Sequence, residues 1–420
     1  MNLRLSTKSV MFDTKGEYYI ATACKEGITI TYINKALQLL LLFLLKNNGY
    51  QYLLDELMLK DVDVDNLTDI IYGMTERGVL QFVSDSKVND LQFREIDSDG
   101  LERLFIEVTN ACNLDCIHCY NSREYQHSYI DVALLKELME EAHGLGVWLV
   151  DITGGEPFMH PQIMDILEVC TEYGMFLNLY TNATLLNGSV IKTLEVKCRI
   201  QSLIVSLDGL SCEIHDLIRG VSGSFDTTME NLEVISKSKL PLRVNTMLIK
   251  QNQEEVNGII EFAYDKLGAV SVAVSPILKA GKGEKISDYC VPPNIVYDAL
   301  LKSHKELKLD TLPQGSDTRH TYCGVYDTTL YISPDFEVFL CPTLTKYENS
   351  AFSLGTYHAN SLKEISHKLI NFENCFQCEE INFCPYAELC KGGCRSRAYL
   401  NTGKTYGIDE FMCNYFNHSI

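Results

Sequence analysis

The sequence predicts an α/β protein built on a partial (β/α)6 barrel of the TIM type, with a small winged-helix domain before it and a cysteine-rich domain after it. From Leu104 onward, β-rich runs alternate with amphipathic helical patterns at a spacing of about thirty residues, which indicates repeated βα units. Beyond residue 320 this alternation ends, and eight of the 16 cysteines follow. We therefore predict three domains, at residues 1–95, 100–310 and 320–420.

Size and charge narrow the function classes. A chain of 420 residues, of which 46% are hydrophobic and 22% charged, is long enough for two or three domains. Its 36 Lys+Arg against 56 Asp+Glu give a net charge of −20, which disfavours extensive electrostatic binding to nucleic acid or anionic lipid. No export signal is visible, and the longest apolar run, Leu37 to Leu45, is short of the about 20 residues that a membrane helix needs. We expect a cytoplasmic protein with no nucleic-acid or membrane partner.

The first 95 residues have the pattern of a winged helix. Two strand-like pieces, YYIATA and GITITYI, precede helical stretches at 36–45, 52–59 and 62–77, and the strand candidate VLQFV follows. A winged helix binds DNA by default. However, the third helical stretch is acidic, so the phosphate contacts of a DNA-binding domain are missing. Peptide or protein binding is the better interpretation.

Six βα units make up the next region. A parallel sheet is expected from them, with functional residues at the carboxyl ends of its strands. Six units are fewer than the eight of a closed barrel, so a partial barrel and a doubly wound sheet are the two options. The predicted strands are LFIEVT, VWLVDIT, MFLNLYT, SLIVSLD, LRVNTMLI and VSVAVSPI, beginning at residues 104, 147, 175, 202, 242 and 270.

Three cysteines, Cys112, Cys116 and Cys119, follow the first predicted strand in a C-x3-C-x2-C pattern. Clustered cysteines in a reducing compartment favour metal binding over disulfides. A four-iron cluster normally takes four cysteine ligands, so three would leave one iron open to a small molecule. A zinc site with His118 as fourth ligand is the alternative, although this is not a usual zinc spacing.

This motif resembles that of the radical S-adenosylmethionine (SAM) superfamily, including the aromatic Tyr120 after the last cysteine. Gly154-Gly155-Glu156-Pro157, after the second strand, is similar to the family's GGEP motif. The resemblance implies a catalytic [4Fe-4S] cluster on the three cysteines, and SAM bound by its amino group along the GGEP backbone. With one electron from the cluster, SAM would give methionine and a 5′-deoxyadenosyl radical.

Four polar residues are further candidates for contacts with SAM by the same resemblance. Ser206 and Asp208 end the fourth strand, and Asn245 lies on the fifth. These would reach the SAM ribose and carboxylate, with strand-end capping as the alternative. Arg219 fits the arginine that pairs with the SAM carboxylate, with a surface salt bridge as the alternative.

The C-terminal cysteines resemble the SPASM extension of radical SAM enzymes that act on peptides, including its CxGGC element at Cys390 to Cys394. Eight thiolates suffice for two fully ligated [4Fe-4S] clusters, which with the catalytic cluster makes three in all. Two structural zinc sites are the alternative for these eight cysteines. This chain has one more cysteine than the family run, and Phe336 stands where the family has glycine, so the partition of ligands is open. The eight are Cys323, Cys341, Cys375, Cys378, Cys384, Cys390, Cys394 and Cys413.

A small acidic winged helix before these domains resembles the RiPP recognition element, which binds the leader of a ribosomally made precursor peptide as an added strand. Together the resemblances imply a peptide maturase that forms thioether crosslinks of the sactipeptide or ranthipeptide type, with flavodoxin or ferredoxin as electron donor. Alternatives are carbon–carbon crosslinking, quinone-pathway or haem-pathway enzymes, and an iron–sulfur sensor. Pro342 counts against formylglycine formation, since sulfatase-type maturases carry Asp at that place.

Two sets of residues receive no catalytic role from the sequence. No general base is identifiable, because His160 and His215, although near strand ends, are more typical of structural histidines. Five single cysteines are expected to be buried small hydrophobic residues: Cys24, Cys170, Cys198, Cys212 and Cys290.

Overall fold

A computed structural model of the protein describes residues 2–5, 9–14, 17–24, 27–33, 37, 64–77, 79–83, 93–95, 101–121, 127–303, 328–345, 352–369, 378–390 and 392–419. Within these ranges, no helix is long and apolar enough to cross a membrane.

The N-terminal region contributes six strands and one helix to the described residues. Strands β2, β3, β4 and β6 form a sheet in the order β4-β3-β2-β6, and β1 pairs with β5. The elements are β1 (Asn2–Leu5), β2 (Ser9–Thr14), β3 (Glu17–Cys24), β4 (Gly27–Ile33), α1 (Val64–Glu76), β5 (Leu80–Val83) and β6 (Phe93–Glu95).

These elements confirm the three predicted strands and the predicted helix at 62–77. The predicted helices at 36–45 and 52–59 lie outside the described residues, apart from Leu37. The winged-helix assignment therefore stays a prediction.

The centre of the protein is a nine-stranded sheet that begins with six parallel strands. These lie side by side in chain order, so the sheet has no point at which the order reverses. That excludes the doubly wound alternative and agrees with a partial barrel. The strands are β7 (Arg103–Glu107), β8 (Leu149–Thr153), β9 (Phe176–Thr181), β10 (Ile200–Ser206), β11 (Leu242–Leu248) and β12 (Ser271–Pro276), which confirms all six predicted runs.

Alternation along each strand divides the sheet into two faces. On β7, for example, Leu104 and Ile106 belong to the apolar core under the helices, whereas Arg103, Phe105 and Glu107 face the inner side. The covering helices are α2 (Val132–Gly144), α3 (Ile163–Glu172), α4 (Gly188–Lys197), α5 (Cys212–Arg219), α6 (Ser224–Ser236), α7 (Val256–Asp265) and α8 (Pro293–Ser303).

The C-terminal region continues the same sheet across the predicted boundary near residue 320. Strand β13 pairs with β7 in parallel, and β14 and β15 follow antiparallel. The elements are β13 (Thr329–Ile332), β14 (Glu337–Phe339), β15 (Ser353–Thr356), α9 (Leu362–Ser366), α10 (Ala387–Cys390), α11 (Arg395–Thr402) and α12 (Glu410–Ser419), with short 3-10 turns at Pro157–Met159, Gly281–Lys285, Ser287–Tyr289, Pro342–Leu344 and Ile381–Phe383.

The single cysteines divide into two groups. Cys170 and Cys198 are buried, as expected. The expectation is wrong for Cys212, which is exposed because it opens α5 on a solvent-facing turn, and Cys290 is only partly buried. No statement on the side chain of Cys24 follows from the described residues.

Phe336 explains one departure from the SPASM pattern. It lies in the turn between β13 and β14 with a φ of 61°, in the left-handed region that favours glycine. Its ring is 4% exposed and packs on Tyr357 at 6.1 Å between ring centroids. The backbone thus has a conformation that glycine adopts without strain, and the ring adds core packing.

We predict that Phe336→Gly is more stable than Phe336→Ala. Both variants lose a buried ring, which costs about 3–5 kcal/mol, but only glycine relieves the left-handed backbone, worth about 1–2 kcal/mol. Thermal unfolding of the two variants under identical conditions checks this order. The opposite order, which is usual inside strands and helices, would show that φ at this position is not strained.

Candidate active site

The three-cysteine loop leaves the carboxyl end of β7 and lies over the inner side of the sheet. Cys112, Cys116 and Cys119 are partly exposed. Burial raises the pKa of Cys112 to about 12, and the nearby Cys116, Glu156 and Cys119 add to the rise. Burial, followed by Cys116, also raises the pKa of Cys119. Thiols in this environment need a strongly positive centre, such as iron, to bind as thiolates.

Backbone hydrogen bonds hold this loop from three sides. Each side is a different segment that ends at the same edge of the barrel: the GGEP turn, the end of α5 and the turn after β12. The bonds run from Gly155 N to Thr109 O (2.7 Å), Glu156 N to Ala111 O (2.8 Å), Asp115 N to Arg219 O (3.0 Å), Ile117 N to Ile218 O (3.0 Å) and Lys282 N to Cys119 O (2.9 Å).

Glycines make this close approach possible. A Cβ on Gly154 or Gly155 would lie 2.4 Å from Thr109 O or 2.2 Å from Ala111 O. Gly220 and Gly281 both have positive φ, and a Cβ there would lie 2.3 Å from the carbonyl oxygen of Asp115 or 2.4 Å from that of Tyr120, respectively. All four distances are shorter than real Cβ contacts, so only glycine fits without moving the cysteine loop.

Most hydrogen-bonding groups of the GGEP turn have partners within the protein. The N–H groups of Gly155 and Glu156 are taken up by the cysteine loop. The Glu156 carboxylate is buried and accepts hydrogen bonds from Thr181 Oγ1 (2.7 Å) and Asn182 N (2.7 Å). Burial raises the pKa of Glu156 to about 7. Its side chain therefore joins β8 to the turn after β9. The carbonyl oxygens of Glu156 and Pro157 accept hydrogen bonds from Met159 N and His160 N, both at 2.9 Å, which leaves those of Gly154 and Gly155 as candidates for an ammonium group such as that of SAM.

Asp208, Arg219 and His118 form a buried polar cluster beside the cysteines. Arg219 Nη2 lies 2.7 Å from Asp208 Oδ2, and Nη1 lies 3.7 Å from Cys116 Sγ. His118 Nε2 is 3.6 Å from Asp208 Oδ2, and burial lowers the pKa of His118 to about 4. Arg219 is thus in a buried ion pair, which corrects the surface salt bridge alternative. Arg219 Nε and His118 Nδ1 are buried with no hydrogen-bond partner in the described structure, as at a site for a polar ligand.

The other predicted SAM contacts lie at the same edge of the sheet. Ser206 and Asn245 are register neighbours on β10 and β11, and both are partly exposed. Asp208 is fully buried, and its Oδ1 accepts from Met247 N at 2.8 Å. Its position suits holding Arg219, while Ser206 and Asn245 are open to a ligand. The SAM contacts themselves stay predictions.

A buried carboxylate, Glu107, is a site residue that the sequence reasoning missed. It is the last inward-facing residue of β7 and 2% exposed, and it accepts hydrogen bonds from Tyr331 of β13 and from Asn121 Nδ2 (2.5 Å). Tyr120 lies close enough that the charges of Glu107, Cys119 and Cys341 add to the rise of its pKa by burial. Alternation on β7 would have placed Glu107 inward; the pairing of β7 with β13 has no local signal.

The two histidines considered as general bases have structural contacts. His160 Nε2 contacts Ile130 O at 3.1 Å, and its Nδ1 accepts from Gln162 N at 3.1 Å. His215 Nδ1 accepts from Asp208 N at 3.3 Å. Both residues are almost fully buried, so their structural interpretation is favoured.

The described C-terminal cysteines lie in two neighbourhoods. Cys394 lies close enough to Cys341 for its charge to add to the rise that burial causes in the pKa of Cys341. By the same criterion, a second group contains Cys378, Cys384, Cys390 and Cys413. Burial, the largest cause, raises the pKa of Cys341 and of Cys390 to about 11. Cys323 and Cys375 lie outside the described residues. In the described ranges no three or more His, Cys, Asp or Glu groups close around a single ion.

Local geometry explains why the CxGGC element has two glycines before its second cysteine. Gly392 and Gly393 both have positive φ, and a Cβ on Gly393 would lie 2.6 Å from Asp409 Oδ2. That carboxylate accepts from Cys394 N at 2.8 Å and binds Arg397 in a bidentate pair, at 2.7 and 2.6 Å. The two glycines thereby let Asp409 fix the backbone at Cys394.

Comparisons with known proteins match the region that contains this loop. Residues 106–263 match the model of the Radical SAM superfamily. An AdoMet-dependent heme synthase of Methanosarcina barkeri is 28% identical over 342 residues, covering 74% of this chain and 95% of the relative. The antilisterial bacteriocin subtilosin biosynthesis protein AlbA of Bacillus subtilis is 28% identical over 321 residues, covering 71% and 68%.

Solved structures match the whole fold. SuiB of Streptococcus suis bound to S-adenosylmethionine superimposes with a TM-score of 0.63 at 14% identity, covering 97% of this chain and 99% of that chain. SuiB bound to its precursor peptide SuiA gives a TM-score of 0.61 at 14% identity, covering 97% and 98%. At this identity the likeness concerns the fold. The match to the Radical SAM superfamily model runs from the end of β7 into α7, residues 106–263, and includes the three-cysteine loop.

We predict that Gly281→Ala prevents stable assembly of the cluster at Cys112, Cys116 and Cys119. The added Cβ would push on the carbonyl oxygens of Cys119 and Tyr120 and displace the last cysteine. Iron per chain after anaerobic reconstitution should fall by about four, the content of one four-iron cluster.

Gly223→Ala is the matched control for this change. Gly223 also has positive φ, at 83°, but a Cβ there would meet nothing within 4 Å. It carries the same backbone penalty without the collision. Equal iron content in the two variants would contradict the role that we give to Gly281.

Proposed function

We propose that this protein is a radical SAM peptide maturase that forms a thioether between a cysteine sulfur and a carbon of a ribosomally made precursor. The observation that carries the proposal is the three-cysteine loop, held from three sides at the carboxyl ends of parallel strands, above a polar inner face. Active sites of barrels of parallel strands lie at this edge.

Cys112, Cys116 and Cys119 would hold the catalytic cluster, and the carbonyl groups of the GGEP turn would hold the amino group of SAM. When bound, the reduced cluster supplies one electron to SAM, which yields methionine and a 5′-deoxyadenosyl radical. Asp208 keeps Arg219 oriented beside Cys116, within reach of an anionic group of the cofactor. Ser206 and Asn245, whose side chains are partly exposed, would bind its hydroxyl groups.

A peptide substrate is supported by two features. The N-terminal sheet has edge strands β4 and β6, and a leader peptide would add to one of them as a further strand. In addition, AlbA is a bacteriocin biosynthesis protein, and SuiB has been captured with a precursor peptide. Residues 1–95 would then act as a RiPP recognition element.

The C-terminal cysteines would hold two auxiliary [4Fe-4S] clusters. Cys378, Cys384, Cys390 and Cys413 are one ligand set, and Cys341 and Cys394, with Cys323 and Cys375 as candidates, belong to the other. Burial raises the pKa of Tyr120, and charges on Glu107, Cys119 and Cys341 add to the rise, so both cysteines lie near this side chain. An electron left on the substrate after bond formation would leave through this region. A flavodoxin or ferredoxin would supply the reducing electron.

A haem-pathway reaction is the second candidate, because the heme synthase relative is matched over nearly its whole length. The N-terminal unit favours the peptide, since its sheet has edge strands suited to a leader. Incubation with a haem precursor and with a cysteine-bearing peptide encoded next to this chain would separate the two candidates.

We predict that the reconstituted protein cleaves SAM under dithionite and that Cys112→Ala abolishes the cleavage, because the cluster loses a ligand. Co-expression with the neighbouring peptide should give a product lighter by two hydrogens for each thioether, which mass spectrometry detects. Cys212→Ala, at an exposed single cysteine, is the control and should keep both activities.

Two results would overturn this proposal at different levels. Cleavage of SAM that persists in Cys112→Ala would remove the assignment of the catalytic cluster. Cleavage of SAM without any change in peptide mass, together with turnover of a haem precursor, would leave the radical SAM domain in place and favour the second candidate.

A further inference from the structure

The inner side of the barrel carries an unusual number of polar groups for a surface enclosed by sheet. Below the carboxyl edge, Arg103, Asp151, Asn178 and Ser202 come from four consecutive strands, and Arg243 from the next. Their strand neighbours, such as Val150, Leu177 and Val244, belong to the core on the other face. By alternation, these polar side chains share the inner face.

The charged groups on this face differ in whether they have partners. Asp151 is fully buried and already binds Arg103 and Asn178 Nδ2 (2.6 Å). Arg243 makes no hydrogen bond or ion pair with the described residues, although it lies near Asp151, Arg103 and Tyr180. Burial, the largest cause, and the charge of Arg103 both lower the pKa of Arg243. Arg103 thus has an ionic partner in Asp151, whereas Arg243 has none among the described residues.

Three polar atoms around Arg243 are buried without a partner in the described structure: Arg243 Nε, Asn178 Oδ1 and Ser202 Oγ. Such atoms cost free energy unless water or a ligand meets them. They come from three adjacent strands, since Asn178 pairs with Ser202 and Arg243 pairs with Ile204 two residues further along β10. The unmet hydrogen bonds thus converge on one place inside the barrel.

Access to this place comes from the open side of the barrel. Strand β12 forms the edge of the sheet, and its inward-facing Ala273 and Ser275 are exposed. Arg243 lies two residues before Asn245 along β11, so it is about 7 Å below the predicted SAM level at a rise of about 3.4 Å per residue. Phe105 and Tyr180, with ring centroids 5.7 Å apart, lie across from this opening.

We propose that Arg243 binds a carboxylate of the substrate inside the barrel and so fixes the reacting carbon beneath SAM. The planar guanidinium suits bidentate binding of a carboxylate. The nearby carboxylate of Asp151 is already paired with Arg103. The carboxylate is that of an acidic side chain or of the C-terminus. This inference rests on the proposed function for the substrate being a peptide, and it names the chemical class of the residue that enters the barrel.

Calorimetric titration of the reconstituted full-length protein with SAM bound tests this site. The probes are propionate, the peptide acetyl-Gly-Glu-Gly-amide, its Gln counterpart, and that Gln peptide as a C-terminal free acid. We expect the carboxylate probes to bind about tenfold or more tightly than the neutral Gln amide, as for a charged hydrogen bond. Comparing the Glu amide with the free acid identifies the source of the carboxylate.

Arg243→Gln should remove this preference, and Arg243→Lys should keep only part of it because Lys cannot bind in a bidentate manner. Lys302→Gln, which changes an exposed cation paired with Glu261, is the matched control and should retain it. If Arg243→Gln does not fold, the Lys variant and the wild-type preference decide the test. No preference for carboxylates would mean that water alone fills the site. A preference that survives in Arg243→Gln would mean that another group binds the carboxylate, and either result overturns the proposal.

Failure of the proposed function gives a different pattern from failure of this site. Propionate binding that depends on Arg243, without any modification of a precursor peptide, would support the carboxylate site and contradict the proposed peptide maturase activity. Peptide modification with no Arg243-dependent carboxylate preference would support the maturase activity and contradict the carboxylate site.

Discussion

The chemistry of this protein depends on one geometric constraint: the cysteine loop must lie against three separate backbones with no side chain between them. Gly154, Gly155, Gly220 and Gly281 provide that approach, and five backbone hydrogen bonds hold it. The three segments come from widely separated parts of the chain, so the loop takes its shape only when the sheet has formed. Cluster assembly at these cysteines would therefore be coupled to folding of the barrel.

Burial of charge follows from the same arrangement. Because the loop covers the edge of the sheet, Asp208 is fully buried and requires Arg219, which in turn contacts Cys116. Burial raises the pKa of Glu156 to about 7, and its side chain joins the GGEP turn to the end of the next strand. Removing one member of such a buried pair generally costs several kcal/mol, since the other charge is left without a partner. The polar groups at this edge thus act as a connected unit.

The sequence predicted the elements of this site well and their contacts less well. The six strands, the motif positions and the inward Ser206 and Asn245 follow from periodicity and resemblance. Gly220 and Gly281 carry no motif, because their role appears only where distant segments touch. The ion pair of Asp208 with Arg219, the inward Glu107 and the pairing of β13 with β7 likewise depend on tertiary contacts, which a local pattern does not encode. Exposure of Cys212 shows that a single cysteine at a helix start need not be buried.

The central claim is that the loop at Cys112, Cys116 and Cys119 holds a cluster whose open iron binds SAM. Electron paramagnetic resonance of the reduced, reconstituted protein, recorded with and without SAM, tests it most directly. The account predicts that SAM changes the signal of one cluster and that this change is absent in Cys112→Ala, while the signals of clusters held by the C-terminal cysteines persist. A SAM-dependent change that survives in Cys112→Ala, or no change in the wild type, would contradict it.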